Sequence, residues 1–160
     1  PDAEGEHIEV VGTVIDGNGD LVRDAFVEAW QADASGNYQA DYDLSKPLNS
    51  FGRTATTFDH GSKCLLLNNQ PGSVKHPSGQ LMAPHINLTL FARGVNIHLQ
   101  TRLYFDDEAE ANAQCPVLSR IESPARRQTL IATREEPCGQ VRYRLNIRLQ
   151  GEGETVFFDF

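Results

Sequence analysis

A chain of 160 residues with 39% hydrophobic residues is long enough to bury a core without a disulfide or metal staple. Its net charge of −8 leaves no overall cationic excess with which to grip nucleic acid or an anionic membrane surface. The longest unbroken apolar run, Cys64 to Leu67, falls far short of the roughly 20 residues of a membrane helix.

The chain opens on an acidic, polar stretch, Pro1 to Glu6, unlike a signal peptide. His7 to Asp16 is rich in β-branched residues and reads as a strand. Asp16-Gly17-Asn18-Gly19-Asp20 is a turn cluster. Leu21 to Ala32 resumes as a strand with Phe26 and Trp30 on one face, so the pair is expected to form a hairpin. Phe51 to Phe58 and Lys63 to Asn68 read as shorter strands around a turn at Asp59-His60-Gly61. Asn68 to Pro84 is a loop rich in Gly, Pro, Ser and Asn, long enough to suggest a role.

His85 to Ala92 alternates, with Ile86, Leu88 and Leu90 facing one way and Asn87, Thr89 and Phe91 the other. Arg93-Gly94 is a turn or a bulge, and Ile97 to Phe105 alternates again. Asp106 to Ala113 is the one helix candidate, with Asp107 as N-cap and Pro116 as its stop. Val141 to Gln150 is the cleanest alternating strand, and its stripe of Arg142, Arg144 and Arg148 is expected to be the wet face. Strands separated by turns, with no alternating helices, predict an all-β fold. The expected architecture is an antiparallel β-sandwich with one short helix and long loops, a single domain over 1–160. Ile8, Val10, Phe26, Trp30, Leu88, Leu90, Leu99, Leu103, Leu145 and Ile147 are core candidates, although the shared parity of Phe26 and Trp30 also suits a partner's surface.

The three cysteines, Cys64, Cys115 and Cys138, form no CxxC and no even framework. Each is expected to be a small buried or half-buried thiol, and the cytoplasm is the default compartment. Nucleotide, P-loop, zincin and serine-hydrolase motifs are absent. Asp106-Asp107-Glu108 reads better as a helix-terminal acidic cluster than as a cation site. Among the histidines, His7 and His60 lie in or beside turns, His76 in the long loop, and His85 and His98 on neighbouring strands. The last two could share a metal only if further ligands converged.

Six stretches resemble one family. They are Val22-Arg23-Asp24 to Trp30-Gln31-Ala32-Asp33, Phe51-Gly52-Arg53-Thr54, Ala83-Pro84-His85-Ile86-Asn87, Phe91-Ala92-Arg93-Gly94, Arg102 to Glu108, and Gln150 to Asp159. Together they resemble the intradiol ring-cleavage dioxygenases across nearly the whole chain, and within that family the non-catalytic α subunit of a heteromeric enzyme. The segment such chains carry ahead of the first strand is absent from this sequence.

The resemblance implies iron(III) chemistry. Two tyrosinates and two histidines hold the metal in the catalytic chain, and phenolate oxygens favour the ferric state. This sequence departs from that set. The loop tyrosine falls on Val74, an arginine three residues before the first histidine falls on Met82, the first histidine is kept as His85, and the second is Asn87. The remaining tyrosine falls near Tyr38 or Tyr42. The resemblance therefore implies vestigial positions at Val74, His85 and Asn87, with no catalytic residue and no metal on this chain. Fe(III) would be held by a homologous catalytic β subunit, at a shared site that converts protocatechuate and dioxygen to 3-carboxy-cis,cis-muconate. Arg93 would line that partner's pocket, where a guanidinium matches the ring carboxylate of the substrate. Two other readings compete: a transthyretin-like binding module without chemistry, and an autonomous metalloenzyme using His85, His98 and a tyrosine.

Overall fold

The structure, a computed structural model, describes residues 4–39, 50–57 and 63–159. The expected turn at Asp59-His60-Gly61 lies outside them. The strands are β1 (His7–Ile15), β2 (Phe26–Gln31), β3 (Phe51–Ala55), β4 (Lys63–Asn69), β5 (Val74–Lys75), β6 (Leu81–Met82), β7 (His85–Phe91), β8 (Leu99–Phe105), β9 (Ile131–Glu135) and β10 (Arg142–Arg148). Two short helices, α1 (Ala109–Gln114) and α2 (Pro124–Gln128), precede β9. Among the described residues no helix is long and apolar enough to cross a membrane.

Eight strands hydrogen-bond in the order β3-β2-β7-β8-β9-β10-β1-β4, and β5 pairs with β6 in a small ribbon. The long sheet folds over at β9. Ile131 and Ala132 pair in parallel with Tyr104 and Phe105, whereas Thr133 to Glu135 pair antiparallel with Arg144 to Arg142. The two halves pack face to face and meet again at their far ends, where a bridge joins Thr57 to Lys63. Alternation fills the space between them: Ile8, Val10 and Val14 of β1, Leu145 and Ile147 of β10, Ile86, Leu88 and Leu90 of β7, and Leu103 and Phe105 of β8 form one cluster. The expected sandwich is therefore present. Two of its pairings, β1–β10 and β8–β9, are parallel, which a chain permits only between strands separated by a long crossover.

The expected hairpin shrinks to a single bridge, Ile15 to Leu21. The turn is real: the Asp16 carboxylate accepts the backbone N–H groups of Asn18 and Asp20, both at 2.9 Å. Both edges of β1 are already taken by β10 and β4, so the chain leaves for the other half and β2 pairs with β7 and β3. The Thr56 hydroxyl guides that crossing, donating to the Val22 carbonyl and accepting the Ala25 N–H. On β2 it is Val27, Ala29 and Gln31 that turn inward, so Phe26 and Trp30 are not core residues. They face outward, 37% and 38% exposed. Leu99 is only partly buried.

Asp107 does not cap α1, which starts at Ala109 behind Glu108. Its carboxylate instead accepts the Tyr143 hydroxyl at 2.8 Å and pairs with Arg134 at 3.5 Å. The unforeseen α2 begins at Pro124 behind Ser123, whose hydroxyl accepts the Arg126 N–H. The wet face of β10 is ion-paired: Arg142 with Glu9 and Arg144 with Glu135. Cys64 and Cys115 are buried, but Cys138 is exposed on a tight turn, contrary to expectation.

Gly12 of β1 has no room for a side chain, because a Cβ there would lie 2.7 Å from the buried Cys64 Sγ. Gly12→Ala is expected to lower stability by about 1–3 kcal/mol through overpacking. Adding Cys64→Ala should recover part of that loss. Urea midpoints of the two variants check this, and an unchanged midpoint for Gly12→Ala would refute the contact.

Candidate functional site

His85 opens β7 opposite Tyr104 of β8. Its outward parity would leave it wet, yet it is only 1% exposed. The Tyr104 ring covers one side, with centroids 5.6 Å apart. The Ala83 carbonyl takes a hydrogen bond from Nδ1 at 2.8 Å, which leaves Nε2 as the lone-pair nitrogen, 3.5 Å from the Tyr38 hydroxyl. Burial lowers the imidazole pKa to about 4, and the nearby Arg102 guanidinium pushes the same way against the Ala83 carbonyl. His85 is thus neutral at pH 7. Burial also holds the Tyr104 phenol well above its ordinary pKa.

Tyr38 is the tyrosine the fold brings to His85; Tyr42 lies outside the described residues. Its hydroxyl also accepts the Asn87 amide N–H at 3.0 Å, and the same amide nitrogen donates to the Trp30 carbonyl at 3.2 Å. Its ring stacks on Trp30, with centroids 5.9 Å apart and planes 5° apart. The preceding turn is set by Asp33, whose carboxylate accepts the N–H groups of Ser35 and Asn37. Two glycines let the backbones meet there. Gly36 has φ +81, and a Cβ on Gly72 would lie 2.3 Å from the Ala34 carbonyl oxygen.

Val74 pairs with Met82 across the β5–β6 ribbon and packs on a second apolar cluster with Tyr104, Cys115 and Leu118. Met82 in turn receives the Arg102 guanidinium, 3.6 Å from its sulfur. The expected vestigial positions therefore gather around one place. His98 does not join them. It is exposed beside Phe91, at the opposite end of the β7–β8 pair from His85, roughly 20 Å along the strand. The reading that joins His85 and His98 in one metal site fails on this register.

These residues do not fit a ferric ion. One imidazole and one phenol converge, Val74 has no donor atom, and the Asn87 amide turns its N–H to the phenol oxygen that would have to be the ligand. Among the described residues no three His, Cys, Asp or Glu side chains come together as a metal site.

Arg93 lies beyond the far end of β7, about 25 Å from His85 along the chain. Its side chain is 87% exposed and its Nε lies 2.5 Å from Asp24. It serves no pocket around His85. Sequence reasoning missed Trp30 as the floor under Tyr38, and missed Arg102 and Tyr104. The signal for the last two was their place in the matched stretch Arg102 to Glu108.

The β-sandwich thus gathers a tyrosine, a histidine and an asparagine at the start of β7. The family model described as Dioxygenase matches residues 2–151, and the chain belongs to the intradiol dioxygenase family, whose members use iron. It is 65% identical over 160 residues, all of this chain and 79% of the relative, to the protocatechuate 3,4-dioxygenase alpha chain of Pseudomonas putida. It is also 35% identical over 109 residues, 63% of this chain and 45% of the relative, to the protocatechuate 3,4-dioxygenase beta chain of Burkholderia cepacia. Among solved structures it resembles the 3-chlorocatechol 1,2-dioxygenase of Rhodococcus opacus, with TM-score 0.68 and 18% identity over 92% of this chain and 61% of that one. At that identity the likeness concerns the fold.

Proposed function

We propose that this chain, a single sandwich domain, is the non-catalytic α subunit of a heteromeric protocatechuate-cleaving dioxygenase. A homologous β chain would hold the Fe(III), bind protocatechuate and dioxygen, and form 3-carboxy-cis,cis-muconate. The observation that carries this reading is the Tyr38–His85–Asn87 cluster: its framework is kept, but two of its donors are replaced by an alkyl group and an amide. The similarity to both named chain types supports descent from one duplicated ancestor. A surface for the partner is available on the outer face of β3-β2-β7, where Phe26, Trp30, Phe51 and Phe91 are each 37–39% exposed. Aromatic side chains concentrate in interfaces of this kind. Three free cysteines accord with a reducing cytoplasm, where we place the assembly.

Co-purification with the β chain, followed by separation and metal analysis of each chain, tests the proposal. Iron is expected with the β chain alone. Stoichiometric ferric iron with a tyrosinate absorption band in this chain would overturn it.

The family resemblance of Phe91-Ala92-Arg93-Gly94 assigns Arg93 to the partner's pocket, and its exposed side chain, distant from the His85 cluster of its own chain, is compatible with that role. Arg93→Ala is expected to weaken protocatechuate turnover through KM by roughly 1.5–3 kcal/mol, the worth of a charged hydrogen bond, and to change catechol turnover much less. Equal losses on both substrates would make Arg93 an interface residue only, held by its pairing with Asp24.

A further inference from the structure

The carboxylate beside Arg93 is put there by strand register. β2 and β7 run antiparallel with Phe26 opposite Phe91, so two residues further out Asp24 stands opposite Arg93. Both follow the outward parity of Phe26 and Phe91, whose ring centroids are 6.1 Å apart. The result is a cross-strand pair of opposite charge at the border of the aromatic face, with Asp24 Oδ2 2.5 Å from Arg93 Nε.

The backbone is fixed on both sides of this pair. Arg93 takes the second position of a turn closed by the Val95 N–H on the Ala92 carbonyl at 3.2 Å, and Gly94 behind it has the positive φ, +80, that the third position requires. Asp24 is held from below by Thr56, which is 2% exposed. The Thr56 hydroxyl donates to the Val22 carbonyl and accepts the Ala25 N–H, both at 2.9 Å, and the Thr56 N–H donates to the Ala25 carbonyl at 2.9 Å. The stretch that carries Asp24 is thereby pinned before and after it. Asp16 lines the same groove, but its carboxylate is committed to the N–H groups of Asn18 and Asp20.

The two side chains are 87% and 43% exposed, and an ion pair so placed adds little to stability. Its effect on geometry is larger. A long arginine side chain gives up rotamer freedom when it meets an anion. A carboxylate already seated on Nε removes part of that freedom beforehand and leaves the Nη1–Nη2 end of the fork for a second carboxylate.

We propose that Asp24 is a positioning residue for substrate recognition: it holds the Arg93 fork, across the subunit boundary, in the orientation that meets the ring carboxylate of the acid cleaved in the partner's pocket. The proposal rests on the reading of Arg93 given above and adds the residue through which that arginine is aimed.

The experiment is steady-state kinetics of the assembled enzyme, this chain with its β chain, on protocatechuate and on catechol. The variants are Asp24→Ala, Asp24→Asn, Arg93→Ala and the double variant Asp24→Ala with Arg93→Ala. Asp24→Ala is expected to raise KM for protocatechuate by roughly twofold to tenfold, the cost of ordering one long side chain, with kcat retained and catechol changed much less. Asp24→Asn keeps an oxygen that accepts the Nε–H and should retain most of the native KM. The double variant should be no worse than Arg93→Ala, because without the guanidinium there is nothing left to aim. A fall in KM for both Asp24 variants would show that Asp24 acts only as a charge opposing the substrate, and would overturn the proposal. Equal losses on the two substrates would overturn it as well, by making the pair a support of the interface. If Arg93→Ala separates the two substrates and Asp24→Ala does not, the positioning role falls and the reading of Arg93 stands. If Arg93→Ala leaves both substrates unchanged, the two fall together.

Discussion

Replacing Phe105 with alanine is expected to cost the fold about 3–5 kcal/mol, the range for removing a fully buried aromatic ring. Phe105 ends β8 at the place where the long sheet folds over, pairing with Ala132 of β9, and none of its surface is exposed. Its ring meets that of Tyr143 edge to face, with centroids 4.7 Å apart and planes at 78°. Tyr143 is itself fixed by its hydrogen bond to Asp107, so it has little freedom to collapse into the space left behind. Part of the loss, about 0.5–1.5 kcal/mol, belongs to the ring pair and should disappear when Tyr143 is already leucine. Urea unfolding of the two single variants and the double variant measures both quantities. A loss below about 1 kcal/mol for Phe105→Ala would mean that the junction at β9 relaxes and is not a rigid core site.

Acidification is expected to remove about 3 kcal/mol of stability through His85 alone. The imidazole has an ordinary pKa of 6.5 when unfolded and about 4 when folded, because burial, then Arg102, disfavours its charged form. A lowered folded pKa means that the unfolded chain binds the proton first. The contribution is therefore complete above about pH 6.5 and is lost as pH falls toward about 4. At about 1.4 kcal/mol per pH unit the window yields the stated loss. The groups facing the ring are the Tyr38 hydroxyl, the Tyr104 ring and Arg102, and none of them supplies a carboxylate to hold the imidazolium. Comparing unfolding free energies at pH 7 and pH 4.5 for the native chain and for His85→Gln isolates this share from that of the surface carboxylates. Parallel pH profiles for the two proteins would show that His85 stays solvated.

The strands were legible because period-two alternation depends on nothing beyond neighbouring residues: β7, β8 and β10 lie within the runs that Ile86, Leu103 and Leu145 mark out. Pairing was not legible. The turn at Asp16 to Asp20 carries every local hairpin signal, yet β10, more than a hundred residues away, occupies the edge of β1 that a hairpin would need. Parity alone placed Phe26 and Trp30 together but gave no sign of which side faces the core; the inward run of Val27 and Ala29 decides it. The second helix had a readable start at Ser123-Pro124, obscured by the absence of an apolar stripe. At the site, the resemblance picked out Val74, His85 and Asn87. The choice of Tyr38 depended on how Gly36 and Gly72 let two loops touch. The exclusion of His98 depended on the β7–β8 register, which no linear spacing reveals.

The parallel pairing of β1 with β10 also constrains when the molecule comes into being. Thr13 and Asn146, 133 residues apart, meet across it through their side chains. A chain still being synthesised holds β1 and β4 long before β10 exists, and until then one edge of β1 presents unpaired N–H and C=O groups. Contacts of such wide sequence separation make for slow folding, on the millisecond-to-second scale, because the loop entropy is lost before the pairing repays it. Nascent chains truncated before Arg142 should therefore remain protease-sensitive and prone to edge-to-edge association.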